Sequence, residues 1–178
     1  DMKKFNLVLV LSMFSFICLH AQETGFKKND NLLNLGVGIN SYYNGGIPLS
    51  VSFERGITDN ISIGVVADYL SDKYKYNSSS SYKFTALYFG ARASYHVNDL
   101  LKINNNNVDL YGGLVLGYRN FSWKYSYSGS SLSDNYGNGL FIGAYAGGKY
   151  YFSPALGAFA ELGATGSTNC RVGLAVKL

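Results

Sequence analysis

Apolar and polar residues alternate along most of the chain from residue 31 onward. The last segment shows this clearly, because the charged residues Arg171 and Lys177 fall on one parity and the apolar residues on the other, namely Val172, Leu174 and Val176. A strand points successive side chains to opposite faces, whereas a helix would spread these charges around its axis. The segment is therefore predicted to be a strand with one polar and one apolar face.

The same alternation predicts eight strands in all. They cover residues 31–40, 49–57, 61–71, 82–97, 108–119, 140–152, 157–165 and 168–178. Seven of them have 9–13 residues and 82–97 has 16, which is enough for the roughly ten residues that a tilted transmembrane strand needs. Within 140–152 both parities are largely apolar, and we expect Ile142 and Tyr150 on its outward face.

Alternation alone does not decide which face meets the solvent, since a soluble lipocalin-like calyx points its apolar parity inward. Three features favour a membrane barrel. Tyrosines lie near the ends of the apolar parity, where an amphipathic ring suits a membrane–water interface; these are Tyr69, Tyr95, Tyr118 and Tyr150. The polar parity is rich in Gly and Ser, which suits a narrow lumen. Long links at 41–48, 72–81 and 120–139 interleave with short ones, as in outer-membrane barrels.

Closure of the sheet follows from the lipid environment. Every backbone N–H and C=O in hydrocarbon needs a partner, so the eighth strand must pair with the first. The fold class is therefore predicted to be all-β, an eight-stranded antiparallel up-and-down transmembrane β-barrel. An even number of strands places both ends of the barrel on the periplasmic side and the long loops outside the cell.

The polar parity carries charged residues that we expect to share the lumen. They are Glu54, Asp68, Arg92, Lys149, Glu161 and Arg171. Charges in so narrow an interior must pair or be hydrated. They indicate either a narrow ion path gated by salt bridges or a structural network that fills the barrel, and we favour the network.

The N-terminal residues are predicted to be a signal peptide rather than part of the fold. Basic residues at 3–4 precede an apolar stretch at 5–19, which is short for a transmembrane helix, and Ala21 suits cleavage before Gln22. Asp1 looks like an extra residue ahead of Met2. The chain then divides into a signal peptide at 1–21, a short periplasmic leader at 22–30 and the barrel at 31–178.

Composition excludes several classes of function. The sequence is 47% hydrophobic and 15% charged, which argues against disorder. Its formal charge of +4 is too small and too scattered to indicate nucleic-acid binding. Beyond the signal peptide, Cys170 is the sole cysteine and His96 the sole histidine. We therefore expect no disulfide, no metal site and no cofactor.

A lipid-modifying enzyme is the main catalytic alternative, because Ser94 and His96 share a face of the fourth strand. They lie about 7 Å apart along that strand by its rise per residue. His96 falls near the periplasmic end of the strand, and the sequence shows no nearby carboxylate to orient its ring. We therefore predict no enzymatic activity, with His96 as a hydrogen-bonding residue of the lumen or the interface.

Two of the long links carry aromatic residues suited to molecular recognition. The candidate contacts are Tyr74, Tyr76, Phe121, Trp123, Tyr125 and Tyr127. Tyr and Ser side chains are typical of adaptable binding surfaces. Because Tyr125 and Tyr127 alternate with Ser, one interpretation is a strand that extends above the membrane as an edge for partner pairing. We favour the other interpretation, a solvated loop that merely continues the hairpin.

Three stretches resemble the small outer-membrane β-barrels related to the transmembrane domain of outer-membrane protein A. Residues 53–64, FERGITDNISIG, are similar to the turn of the family's second hairpin, and 91–96, ARASYH, to the end of its fourth strand. Residues 148–154, GKYYFSP, resemble its third periplasmic turn. The chain departs from the family at Leu178, where an aromatic end is usual for recognition by the barrel-assembly machinery.

The resemblance implies a monomer in the outer membrane of a bacterium with two membranes, surrounded by outer-membrane lipid and inserted by the barrel-assembly machinery. We expect a structural or surface-interaction role such as adhesion, with an extracellular ligand contacted through 72–81 and 120–139.

Overall fold

The computed structural model describes residues 25–43, 45–77, 80–125 and 137–178. The predicted signal peptide and Tyr127 lie outside the described residues. The described chain forms eight strands: β1 (Asn31–Gly38), β2 (Leu49–Gly56), β3 (Ile61–Asn77), β4 (Ser80–His96), β5 (Val108–Tyr125), β6 (Gly139–Tyr151), β7 (Leu156–Gly163) and β8 (Cys170–Lys177).

Each strand pairs antiparallel with the next, and the sheet closes on itself. The closing pair joins β1 to β8, with Leu33 opposite Val176 and Val37 opposite Val172. The predicted eight-stranded up-and-down barrel is therefore confirmed. Below, the terminal end is the end where β1 begins and β8 ends, and the far end is the opposite one.

Side chains alternate between the lumen and the outer surface as the parity predicts. On β6, for example, Ile142 and Tyr150 are exposed on the outside, whereas Tyr145 and Lys149 are buried in the lumen. A soluble calyx would show the inverse, with apolar residues inside and charges outside. In the part of the chain that the structure describes, no helix has the length and hydropathy needed to cross a membrane.

Three strands run well past their neighbours at the far end. β3, β4 and β5 have 17, 17 and 18 residues, whereas β1, β2, β7 and β8 have 8 each. The prediction that 72–81 and the start of 120–139 are loops is therefore wrong for 72–77, 80–81 and 120–125. Period-two alternation continues through these residues, and their backbones stay hydrogen bonded to the neighbouring strand instead of forming a loop.

Candidate functional site

The lumen charges come from six different strands and are all buried. The predicted residues Glu54, Asp68, Arg92, Lys149, Glu161 and Arg171 have exposed fractions of 4% or less. Each lies on the inward parity of its strand, so closure of the sheet directs all of them to one axis.

Five of these residues form a chain of alternating charge across the lumen. Arg92 bridges two carboxylates, with its Nε 3.1 Å from Glu54 Oε1 and its Nη2 2.9 Å from Glu161 Oε2. Arg171 continues the chain, with Nη1 3.4 Å from Glu161 Oε1 and Nη2 3.7 Å from Asp68 Oδ2. We name this set, Glu54–Arg92–Glu161–Arg171–Asp68, the charge chain. Pairing of both signs offsets part of the cost of burying the charges.

Lys149 lies apart from the charge chain and pairs with a residue that sequence reasoning missed. Its Nζ is 3.6 Å from Oδ2 of Asp109, which is fully buried near the start of β5. Asp109 stands on the polar parity of β5, one residue before Leu110. That parity was the signal available for finding it.

His96 lies inside the lumen and is held by Asp109 and Ser62. Its Nδ1 is 2.6 Å from Asp109 Oδ1, and its Nε2 is 3.0 Å from Ser62 Oγ. The expectation that no carboxylate orients this ring is therefore wrong, because the antiparallel pairing of β4 with β5 brings the start of β5 beside the end of β4. Ser94, the predicted partner of His96, instead contacts the Glu54 carboxylate and the Tyr145 hydroxyl.

Ser62, His96 and Asp109 are arranged in the order of a hydrolase triad, but the Ser62 hydroxyl has a different hydrogen-bond acceptor from a catalytic serine. The Ser62 hydroxyl donates its single proton to Glu54 Oε2 at 2.8 Å. That proton is therefore not directed at His96 Nε2, so the arrangement suits a structural network rather than nucleophile activation.

Two tyrosines fill the space between the charges. Arg92 stacks 4.1 Å over the ring of Tyr145, and Lys149 lies 4.6 Å over the ring of Tyr111. Lumen glycines make room for both rings. A Cβ at Gly113 would lie 2.5 Å from the Tyr145 hydroxyl, and one at Gly147 would lie 2.7 Å from the Tyr111 hydroxyl.

The far end of the lumen is closed by an aromatic plug. Its buried members are Tyr43, Leu70, Phe84, Ala86, Tyr88 and Phe121, with Trp123 and Phe141 packed against them. The Tyr43 and Tyr88 hydroxyls are hydrogen bonded to each other. The prediction that Phe121 is a loop contact is wrong: it lies on the inward parity of β5 and is 7% exposed. Trp123 likewise turns towards the plug.

The terminal end is covered by the segment before β1. The ring of Phe26 stacks on His96, with centroids 3.4 Å apart, and Lys177 Nζ lies 3.0 Å from Asp30 Oδ2. A polar cavity of about 360 Å³ remains beside Phe26. Beside the charge chain itself the cavity volume is about 10 Å³, which is too small for an ion path.

The outer surface is apolar between two levels of tyrosine. Tyr69 and Tyr118 lie towards the far end, Tyr95 and Tyr150 lie towards the terminal end, and all four are 38–54% exposed. Tyr69 faces Leu87, eight residues before Tyr95 on β4, which is about 26 Å along the strand at 3.3 Å per residue. With the tilt of a barrel strand this distance suits the apolar band of an outer-membrane barrel.

The remaining predicted contacts lie in the long hairpins. Tyr74 and Tyr76 belong to β3, and Tyr125 ends β5. Their side chains lie outside the described part of the structure. Their backbones continue the sheet. As far as Tyr125, the favoured interpretation of a solvated loop at 120–139 is therefore wrong, and the alternative of an extended strand is confirmed.

No protein-family model and no curated protein matches the sequence. Solved structures do match its fold. The outer membrane protein OprG from Pseudomonas aeruginosa is 12% identical with a TM-score of 0.56, over 88% of this chain and 99% of OprG. Ail, the attachment invasion locus protein of Yersinia pestis, is 11% identical with a TM-score of 0.51, over 84% of this chain and 95% of Ail.

A de novo designed transmembrane β-barrel is also similar, with 19% identity and a TM-score of 0.51, over 86% of this chain and 99% of the design. At identities this low, structural similarity establishes the fold alone, and the function has to be argued from the residues of this chain. The chain therefore has the fold of the small eight-stranded outer-membrane β-barrels, as the resemblance in the sequence implied.

Proposed function

We propose that the protein is a monomeric barrel of the bacterial outer membrane. The barrel, whose lumen is filled, anchors the protein, and the prolonged strands at the far end form a contact surface for an extracellular partner. The apolar outer face between the tyrosine levels supports the membrane location. Insertion would be the work of the barrel-assembly machinery, with Leu178 in place of the usual aromatic end.

The observation that carries the contact surface is a sheet whose two edges have no neighbouring strand among the described residues. β3 pairs with β2 as far as Tyr69, and among the described residues Leu70–Asn77 pairs with β4 alone. β5 pairs with β6 as far as Arg119, and in the described chain Asn120–Tyr125 also pairs with β4 alone. We name Leu70–Asn77, Ser80–Ala86 and Asn120–Tyr125 the extension.

Open edges are suited to binding an extended polypeptide. Each presents backbone N–H and C=O groups that an added strand can pair with. On the β5 edge the N–H of Phe121 already donates to Asn138 Oδ1 at 2.6 Å. The extension also carries Tyr74, Tyr76 and Tyr125, and tyrosine is common on binding surfaces. Ail, a protein of the same fold, is described by its name as an attachment protein. An adhesive contact through the extension is therefore the function that the geometry supports best.

Absence of catalysis is part of this proposal. The Ser62 proton is directed to Glu54, and Ser62 and Asp109 have exposed fractions of 0%. A lipid substrate would have to enter a lumen that is filled beside the charge chain. The same filling argues against an ion-conducting role.

A shortened hairpin tests the contact surface. Residues 74–82 are replaced by Asn-Gly, a favoured two-residue hairpin turn, between the directly paired Lys73 and Lys83. The plug residue Phe84 is retained, so the barrel should fold and still show heat-modifiable migration in gels. Bacteria displaying the shortened protein should attach to protein-coated surfaces no better than cells without it, whereas the intact protein should promote attachment.

The matched control keeps the length of the hairpin and replaces Ser78 and Ser79, which are not part of the extension, with Gly. It should attach as the intact protein does. If the shortened barrel folds and attachment is unchanged, the extension is not the contact surface.

A further inference from the structure

Three lysines stand in one row across the extension. Lys73 of β3 lies directly opposite Lys83 of β4, and Lys83 lies directly opposite Lys124 of β5. Directly opposed side chains on one face of a sheet have Cβ atoms about 5 Å apart. The parity of each strand places the row on the outer surface, behind the inward-facing Phe84 and Trp123. We name these three residues the lysine row.

The charges of the lysine row are not neutralised by the described chain. No described residue makes an ion pair or a side-chain hydrogen bond with Lys73, Lys83 or Lys124. The neighbouring Asp72 is on the inward parity, opposite Phe84, and its carboxylate accepts the backbone N–H of Lys73 at 2.8 Å. The row therefore concentrates positive charge on one face.

Protection of sheet edges explains only part of the row. Lysines on exposed edge strands discourage edge-to-edge pairing between copies of the same chain, because their like charges repel, and this accounts for Lys73 and Lys124 without opposing a partner strand of different charge. Lys83, however, is half-buried on the central strand of the extension, where it has a like charge on each side. Like charges directly opposite destabilise a sheet. An anion held between the lysines would convert that repulsion into attraction.

The position of the row indicates which anion meets it. Lys73 lies four residues beyond Tyr69 on the same outward parity, which is about 13 Å along the strand. A strand tilt of about 40° reduces this to about 10 Å above the tyrosine level. Lysine side chains bend towards the interface and place their ammonium groups near it. The lysine row is thus at the height of the lipid headgroups next to the far end.

We propose that the lysine row binds the phosphate groups of a glycolipid headgroup in the surrounding outer leaflet. This rests on the membrane location proposed above. Three ammonium groups in a line can contact two phosphates of one headgroup, each lysine acting as a point charge towards phosphate oxygens. The lipid would fix the height of the barrel and brace the extension from outside.

The test compares lipids that differ only in phosphate. The folded protein is reconstituted into phosphatidylcholine vesicles containing either bisphosphorylated lipid A or the same lipid with its phosphates removed, then extracted and examined for retained lipid by native mass spectrometry. Wild-type protein should prefer the phosphorylated lipid about 100-fold. This ratio corresponds to about 3 kcal/mol at 1.4 kcal/mol per tenfold, or about 1 kcal/mol for each lysine. Lys73→Gln/Lys83→Gln/Lys124→Gln should abolish the preference.

The matched control removes three positive charges near the terminal end, as Lys28→Gln/Arg55→Gln/Lys102→Gln, and should keep the full preference. Equal loss in both triple variants would overturn the proposal, because any lowering of net charge would then suffice. Heat-modifiable migration of each sample shows that the barrel is folded, and flotation with the vesicles shows that it is inserted in the membrane, so failure of the membrane location is seen separately.

Two further measurements separate the sources of the anion. Inorganic phosphate at millimolar concentration should displace no lipid; full displacement would show a site for free phosphate. Binding of soluble heparin without discrimination between the two lipids would show a polysaccharide site.

Lys83→Gln alone should raise the urea midpoint of unfolding in pure phosphatidylcholine, and should lower it relative to wild type when phosphorylated lipid is present. Absence of this reversal would contradict the proposal.

Discussion

The middle of the lumen and its far end lie in the same barrel but are filled by different interactions. In the middle, the charge chain joins β2, β4, β7, β8 and β3 through a succession of ion pairs. At the far end, the aromatic plug packs residues of β3, β4 and β5 with Tyr43 from the β1–β2 connection. The first depends on direction and charge, and the second on apolar contact.

This difference predicts different responses to substitution. In the charge chain, loss of one member leaves buried neighbours without a counter-charge, which costs more than the pair itself contributes. In the plug, loss of a side chain removes contacts and leaves a cavity whose cost depends on how far the neighbours relax. The single tryptophan, Trp123, packs against the plug and supplies a fluorescence signal for unfolding in lipid vesicles.

Arg92→Met should give the largest effect. It leaves the buried carboxylates of Glu54 and Glu161 without the cation that bridges them. We therefore expect the free energy of unfolding to fall by about 4 kcal/mol. Urea titration in vesicles measures this. Arg92→Lys is the control, since its ammonium keeps the charge but lacks the fork that reaches two carboxylates, and it should lose less. A loss below about 1 kcal/mol for Arg92→Met would mean that the charge chain is not structural.

Phe84→Ala should give the second-largest effect. Phe84 is 1% exposed and contacts Tyr43, Phe121 and Trp123, so its truncation should cost about 3 kcal/mol. Phe84→Leu should cost about 1 kcal/mol because it keeps most of the volume. The double variant with Arg92→Met should show additivity within about 0.5 kcal/mol, as distant sites do. Strong coupling would show that the two regions are not independent.

Tyr43→Phe should give the smallest effect. It removes one hydroxyl of the Tyr43–Tyr88 pair and leaves the ring in the plug, so we expect a loss of about 1 kcal/mol. Tyr42→Phe is the control, because Tyr42 is 51% exposed, and its stability should stay within about 0.5 kcal/mol of wild type. If both variants behave alike, the hydroxyl pair adds nothing to the plug.

Much of the fold was accessible from the sequence because its signal is local. Period-two alternation located all eight strands and both faces, including Ile142 outside on β6, where both parities are largely apolar. It also placed the six predicted lumen charges on inward positions. The errors lie where alternation continues past the apolar band, because the polar composition of 72–77 predicts a loop although Asp72 and Lys73 still alternate between faces.

Partnerships inside the lumen were not accessible in the same way. Asp109 and Ser62 are each ordinary polar residues on a strand, and nothing local to them shows that His96 lies between them. Phe121 was expected on the surface, since an aromatic residue in a polar stretch is typical of a recognition loop. Its burial depends on Phe84 and Tyr88, which lie more than thirty residues away.

By itself, then, the sequence determined the strands and their two faces, because side-chain direction follows from strand geometry. It also determined the closed barrel, because every backbone N–H and C=O group in lipid needs a partner. Only the tertiary structure decided which charges meet, that Ser62 donates to Glu54, and that three lysines line up across the extension. These depend on the register between strands, which sets the height of each residue in the barrel and is fixed by the packing of the whole sheet.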